Sequence, residues 1–284
     1  MRLAGPVDNG LSDKDLEAYF RRVGYSGAAL PSLDTLRRLQ ACHATAIAFE
    51  NLDPLMRKPV SLSLPALVDK LVRQGRGGYC FEQNALLAAA LRALGFSVSG
   101  LAALVQWKRS DYGPRIHMVL RIDLPEGPHV ADVGFGGLTL TAPLRVEPHV
   151  EQPTTLEPFR LMPQDGEHQV QVRLHGEWTP VYRLTLQPVT TDDYEVYNWF
   201  TSTHPEVVFT NRLMAARPGE DVRYALLDDQ LSVHRLDGPT ERRTLTSADE
   251  LASVLHGTFG LRLPAACEDV LQRVIERSVA SARR

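Results

Sequence analysis

Between Ser12 and Gly24 the apolar residues Leu16, Phe20 and Val23 recur at intervals of four and three, which places them on one face of a helix. Ser12 stands at the N-cap position with Asp15 three residues on, a capping-box pattern with Asp in place of Glu, and Gly24 marks the stop. The stretch "PSLDTLRRLQACHATAI" repeats the device. Ser32 or Asp34 caps, and Leu33, Leu36, Leu39 and His43 follow at helical spacing. In "SLPALVDKLVRQG" Ser63 caps, Pro65 occupies the first turn where its missing N–H is harmless, and Gly75 stops the helix. A fourth helix is predicted from Cys80 to Leu94, ending at Gly95.

Beyond Gly95 the pattern changes to that of strands. "FSVSGLAALVQW", "IHMVLRIDL" and "HVADVGF" are β-rich and are separated by Asp111, Gly113 and Pro114, then by Pro125, Gly127 and Pro128. Segments 117–124 and 129–134 should form a hairpin closing near Pro125, with residues 117 and 132 opposite each other on one face. Further strands are expected at 169–174, 178–187, 222–227 and 230–236. "SADELASVLHGTFG" and "PAACEDVLQRVIERSVA" return to helix. The order is helical, then β, then mixed, with no repeat or linker.

Composition narrows the classes. The chain has 284 residues, 44% hydrophobic, enough for a sizeable core without disulfides or metals. Net charge is −3 and no basic run exceeds Arg-Arg, which argues against nucleic acid as a partner. Three widely spaced cysteines, Cys42, Cys80 and Cys267, do not make a disulfide framework and suit a reducing compartment. The N-terminal stretch lacks the apolar core of a signal peptide. The most apolar helix, 85–94, is about half the roughly 20 residues a membrane span needs. A soluble, cytoplasmic protein without a membrane partner is expected.

The chemistry centres on "RGGYCFEQN". At the start of a helix, unpaired N–H groups and the positive end of the helix dipole favour a thiolate at Cys80. Gly77 and Gly78 would let the backbone turn sharply and a substrate approach. The alternative is a small buried hydrophobe, as most free cysteines are. Cys42 and Cys267 are assigned to packing. A nucleophile needs a base, and the base an orienting group. Of nine histidines, His43 lies on an apolar helix face. His129, His149, His168, His175, His234 and His256 sit in strand edges or polar loops, leaving His117 and His204. No histidine shows zinc spacing with the cysteines, so no metal is expected. Asp132 either orients His117 across the hairpin or starts a turn toward Gly134. Phe135, between Gly134 and Gly136, reads as a pocket wall, whereas Phe49 and Phe200 read as core packing from the residues alone. "GFGG" is followed by "LTLTAPLRV", not by a helix, so a dinucleotide fingerprint is excluded.

Taken together and in order, "AFENLD", "RGGYCFEQN", "RIH", "ADVGFGG" and "NWFTSTHP" resemble the arylamine N-acetyltransferase family, prokaryotic type, from about Tyr19 to the C-terminus. The resemblance implies an α+β fold with a cysteine-protease-like core: a helical bundle (1–95) carrying the nucleophile, a β-barrel (96–195) carrying His and Asp, and an α/β lid (196–284). It implies a catalytic Cys80–His117–Asp132 triad. The co-substrate would be acetyl-CoA, and the acceptors arylamines, arylhydrazines or hydroxyarylamines. It assigns Phe49, Val105, Gly134, Phe135, Gly136 and Phe200 to the acceptor pocket, and Glu50 and Arg76 to a structural charged pair nearby. Ala48, Leu104 and Ile116 depart from the family pattern, the last two near the pocket. An amide synthase using a larger acyl thioester, a papain- or transglutaminase-like hydrolase, and a non-catalytic binder of aromatic or CoA-like ligands are the rival readings.

Overall fold

The computed structural model describes residues 10–109 and 113–282; the strand break expected at Asp111 lies outside them. The first third comprises α1 (Asp13–Val23), α2 (Leu33–Ala46), β1 (Phe49–Glu50), α3 (Leu52–Leu55), α4 (Leu64–Leu67), which runs on as a π-helical turn over Val68–Arg73, and α5 (Cys80–Ala93). Seven strands follow: β2 (Ser97–Val105), β3 (His117–Leu124), β4 (Gly127–Ala131), β5 (Leu144–Arg145), β6 (Phe159–Gln164), β7 (Glu167–Leu174) and β8 (Glu177–Leu184). The last third holds α6 (Thr191–Thr203), β9 (Met214–Pro218), β10 (Val222–Leu227), β11 (Gln230–Arg235), β12 (Glu241–Thr244), α7 (Ala248–Gly257) and α8 (Glu268–Ala282).

The caps follow the sequence with one exception. The Asp15 amide donates to Ser12 Oγ at 3.3 Å, and Ser32 rather than Asp34 caps α2 by accepting from Thr35 N at 3.2 Å. Ser63 precedes α4 without capping it; its hydroxyl pairs with that of Ser61 at 3.1 Å. Helix α5 is buried on every side from Cys80 to Leu91, and its buried polar residues Glu82, Gln83 and Asn84 are each hydrogen-bonded, as burial requires.

The seven-stranded sheet has the order β5-β4-β3-β2-β8-β7-β6. The chain after β5 returns to β6 through bridges at Pro148–Leu161 and Gln152–Phe159, which nearly closes a barrel. Its interior is filled by Leu101, Val119, Phe159, Val170, Val181 and Leu184. A second sheet, β1-β9-β10-β11-β12, joins the two ends of the chain, since Phe49 pairs with Ala216 and Glu50 with Ala215. Helices α7 and α8 cover one face of it through Leu251, Leu255, Leu271 and Val274. Buried Arg223 on β10 ties that sheet to the barrel, bonding Glu157 at 2.7 Å and the Thr139 carbonyl at 3.0 Å.

The β3–β4 hairpin turns at Pro125–Glu126, with Leu124 opposite Gly127 and Leu120 opposite Ala131. That register differs by two residues from the expected one, so side chains keep their face whereas a slip of one would have reversed it. β4 also ends at Ala131, so Asp132 lies just past the strand instead of inside it.

In the helical third, Tyr19, His43 and Gln83 form a buried chain of hydrogen bonds. Gln83 spends its amide N–H groups on the carbonyls of Ile47 (3.1 Å) and Gly78 (3.2 Å). Its oxygen therefore accepts from His43 Nε2 at 2.8 Å, and His43 Nδ1 accepts from the Tyr19 hydroxyl at 2.9 Å. Burial first, and Arg22 with it, hold the His43 imidazole at a pKa of about 4 despite the bond to Gln83. The unfolded chain binds this proton first as pH falls, so stability drops between about 6.5 and 4. The full loss is about 3 kcal/mol at about 1.4 kcal/mol per unit. Urea unfolding across that range should show a shallower acid decline in His43→Gln than in the wild type. Parallel declines would contradict the assignment.

Candidate active site

Three elements converge at the start of α5. Cys80 is its first residue, His117 opens β3, and Asp132 follows β4. His117 Nε2 donates to Asp132 Oδ2 at 2.7 Å. The other carboxylate oxygen accepts from Asn84 Nδ2 at 2.9 Å and from the Gly134 amide at 2.8 Å. Both readings of Asp132 thus describe it, since it binds the histidine and starts the turn to Gly134. Cys80 lies beside the ring, close enough to raise its pKa, and its thiol donates to the Ile116 carbonyl oxygen at 3.8 Å.

The electrostatics follow from burial. Asp132 is 0% exposed and His117 4%. Burial alone pulls the His117 pKa down, but the charge and hydrogen bond of Asp132, with a smaller part from Cys80, push it up to about 10. Burial raises Asp132, and His117, Asn84 and the Gly134 amide overcome it, leaving the carboxyl below its ordinary value. Tyr182 lies over the imidazole, ring centroids 5.1 Å apart. Burial and then the Asp132 charge hold its phenol well above the usual range. Sequence reading missed both Asn84 and Tyr182. Asn84 had a signal, because position i+4 from Cys80 shares its helix face; Tyr182, a single residue on β8, had none.

The loop before Cys80 is clamped by charge. Arg76 donates to Glu50 at 2.7 Å and Asp53 at 3.1 Å, while Lys70, on the π-turn, bonds Asp53 and Glu82, each at 2.6 Å. Glu82 accepts from the Tyr79 amide at 3.1 Å, capping α5. Gly77 and Gly78 do not leave room for a substrate. A Cβ on Gly77 would stand 2.1 Å from the Ala48 carbonyl oxygen, and one on Gly78 would stand 2.8 Å from the Glu82 carboxylate. The close approach they permit is to the protein itself.

Cys80 and His117 open onto a cavity of about 810 Å³. Phe49, Val105, Gly134, Phe135, Gly136 and Phe200 all line it, so the two phenylalanines read as core packing stand in its wall. Gly134 abuts Cys80, its Cβ position 2.5 Å from Cys80 Cα, and a Cβ on Gly136 (φ 89°) would stand 3.5 Å from the Phe49 ring. Phe135 meets His117 edge to face at 5.2 Å. His204 lines the cavity stacked on Phe200 at 4.8 Å, one wall residue among many and no partner of the His117–Asp132 pair. Asn51 positions the opposite wall, donating to the carbonyls of Phe209 and Arg212 at 2.8 Å each.

A family model for N-acetyltransferases matches residues 32–267. The arylamine N-acetyltransferase of Mycolicibacterium smegmatis is 42% identical over 269 residues, covering 92% of this chain and 98% of that protein. The Escherichia coli arylamine N-acetyltransferase is 36% identical over 248 residues, covering 87% and 88%. The chain belongs to the arylamine N-acetyltransferase family. The arylamine N-acetyltransferase structure from M. tuberculosis superposes with a TM-score of 0.86 at 40% identity, covering 92% of this chain and 99% of that one. The Mycobacterium marinum arylamine N-acetyltransferase in complex with CoA does so with the same score and identity over 92% and 98%. Trp107, Phe209 and Met214 complete the apolar wall of the cavity, and none was singled out from sequence.

Replacing Asp132 by Asn removes the charge that holds the His117 proton. Imidazole resonances followed by NMR should then show His117 neutral at pH 7, where the wild type is protonated. An unchanged titration would mean that another group carries the effect.

Proposed function

We propose that this enzyme N-acetylates arylamines and arylhydrazines, with acetyl-CoA as donor, in two half-reactions through an acetyl group on Cys80. The observation that carries the reading is a buried, oriented Cys80–His117–Asp132 set at an apolar cavity of small-molecule size. In the first half-reaction Cys80 reacts as a thiolate beside the His117 imidazolium. The sulfur attacks the acetyl carbonyl carbon and the C–S bond to CoA breaks. CoA leaves as the thiol with the proton from His117. Amide groups in the first turn of α5, which have no intrahelical acceptor, support the tetrahedral oxyanion.

In the second half-reaction the acceptor nitrogen attacks the acetyl carbon, His117 takes the proton from nitrogen, and Cys80 is released. Asp132 keeps the ring aligned in both. The aromatic faces of Phe49, Phe135 and Phe200 suit a flat, uncharged acceptor, at about 0.5–1.5 kcal/mol each beyond area burial. Lys108, Arg109 and Arg242 line the same cavity and suit the phosphates of CoA. Burial, and then Arg242 and Lys108, lower the pKa of His234 beside them. O-acetylation of hydroxyarylamines fits the same attack with oxygen as nucleophile. No helix among the described residues is long and apolar enough to cross a membrane.

Mass spectrometry after incubation with acetyl-CoA alone should find one acetyl group on the Cys80 peptide, discharged on addition of an arylamine and absent in Cys80→Ser. Turnover without any adduct, or release of acetate with no transfer to the amine, would overturn the reading.

A further inference from the structure

Behind the loop that leads to Cys80, on the side away from the cavity lining, three arginines from three elements meet. Arg22, near the end of α1, donates from Nε to the Leu71 carbonyl at 3.0 Å, and from its terminal nitrogens to the carbonyls of Ala46 (2.8 Å) and Arg76 (3.5 Å). Arg262, in the turn after α7, donates its amide to the Gly75 carbonyl at 3.2 Å. Its side chain crosses Gly75, with Cδ and Nε 3.0 and 3.2 Å from where a Cβ would stand. Arg217, on β9, brings Nη1 within 3.0 Å of the Cβ position of Gly260. Both glycines have positive φ, 67° and 69°, so the backbone presents its bare side to each guanidinium. Gly75 adjoins Arg76, and Gly260 lies two residues from Arg262, which brings the three cations into one neighbourhood.

What this neighbourhood lacks is negative charge. None of the three arginines is in an ion pair among the described residues, and Arg217 Nε is buried with no hydrogen-bond partner. Burial lowers the Arg22 pKa, and Arg262 and then Arg217 lower it further. Burial lowers Arg217 as well, against an opposing effect of Tyr224. Clustered like charges, partly buried, are unfavourable in the free protein, and an anion bound among them relieves that cost.

We propose that Arg22, Arg217 and Arg262 form a site for a phosphate-type dianion on the back of the nucleophile loop. The guanidinium fork matches tetrahedral oxyanions bidentately. Arg22, with three N–H groups on carbonyls, supplies mainly charge, while Arg217 and the exposed Arg262 supply N–H groups. The anion would be free phosphate or the phosphoryl group of a nucleotide. It would fix Gly75 and Arg76, whose carbonyls already accept from Arg262 and Arg22. The site is separate from the acetyl-transfer reading and stands or falls independently of it.

Calorimetric titration and thermal unfolding of the full chain would be run with inorganic phosphate, pyrophosphate and adenosine monophosphate, against sodium chloride at equal ionic strength. Saturable binding with stabilisation beyond chloride is expected. Arg217→Gln and Arg262→Gln should each weaken it roughly tenfold or more, as loss of a charge-assisted hydrogen bond does, while Arg145→Gln, exposed on β5, should not. Tighter binding of the monophosphate than of phosphate identifies a nucleotide as the source, and equal binding identifies the free anion. Stabilisation no greater than chloride's would overturn the proposal, as would affinity kept in both Arg217→Gln and Arg262→Gln.

Discussion

A carboxylate shut off from water needs donors around it, and most of the architecture near the cavity supplies them to Asp132. β3 brings the His117 ring, α5 brings the Asn84 amide, and the turn after β4 brings the Gly134 N–H. Removing a partner from such a buried pair costs about 3–5 kcal/mol because the remaining charge is stranded. That penalty locks the helical third to the barrel at one point. The ring is thereby oriented and its proton retained. Stability and reactivity thus rest on the same contact.

The position of Cys80 depends on a second set of buried charges. Lys70 and Arg76 are two cations among three anions, Glu50, Asp53 and Glu82, and they hold the chain that enters α5. The carboxylates raise the pKa of both bases against the opposing effect of burial, so both stay charged. The π-helical turn over Val68–Arg73 carries Lys70 into this network. Glu50 and Phe49 are neighbours on β1 with opposite tasks, one clamping Arg76 and the other walling the cavity. Adjacent strand residues face opposite sides, and this separation makes the pairing possible.

Legibility in the sequence tracked signal strength. Helices with an apolar stripe and a polar cap, such as α1 and α2, could be drawn nearly to the residue, and β10 was placed over its observed span. α6 could not, because it buries Tyr194, Asn198, Thr201 and Ser202 and offers no hydrophobic period. β1 and β5 are two residues long, and β6 carries Pro163, so neither pattern nor propensity marks them. At the site, Cys80 was marked by its helix-start context and Asp132 by being a charge in an apolar strand pattern. His117 could be narrowed only to a choice with His204. Phe49 and Phe200 needed the family resemblance, since an aromatic at a core spacing carries no sign of facing a cavity. Tyr182 and the Lys70 network were invisible because tertiary contact alone defines them.

The most direct test of the central claim is a competition among the three cysteines. Exposure favours Cys42, the only one of them that is not buried, while Cys80 is 4% exposed. Burial raises the thiol pKa of both Cys42 and Cys267. Limiting iodoacetamide at neutral pH, followed by peptide mapping, should therefore modify Cys80 first, with the preference lost in His117→Ala. Labelling that follows exposure, Cys42 ahead of Cys80, would contradict the account.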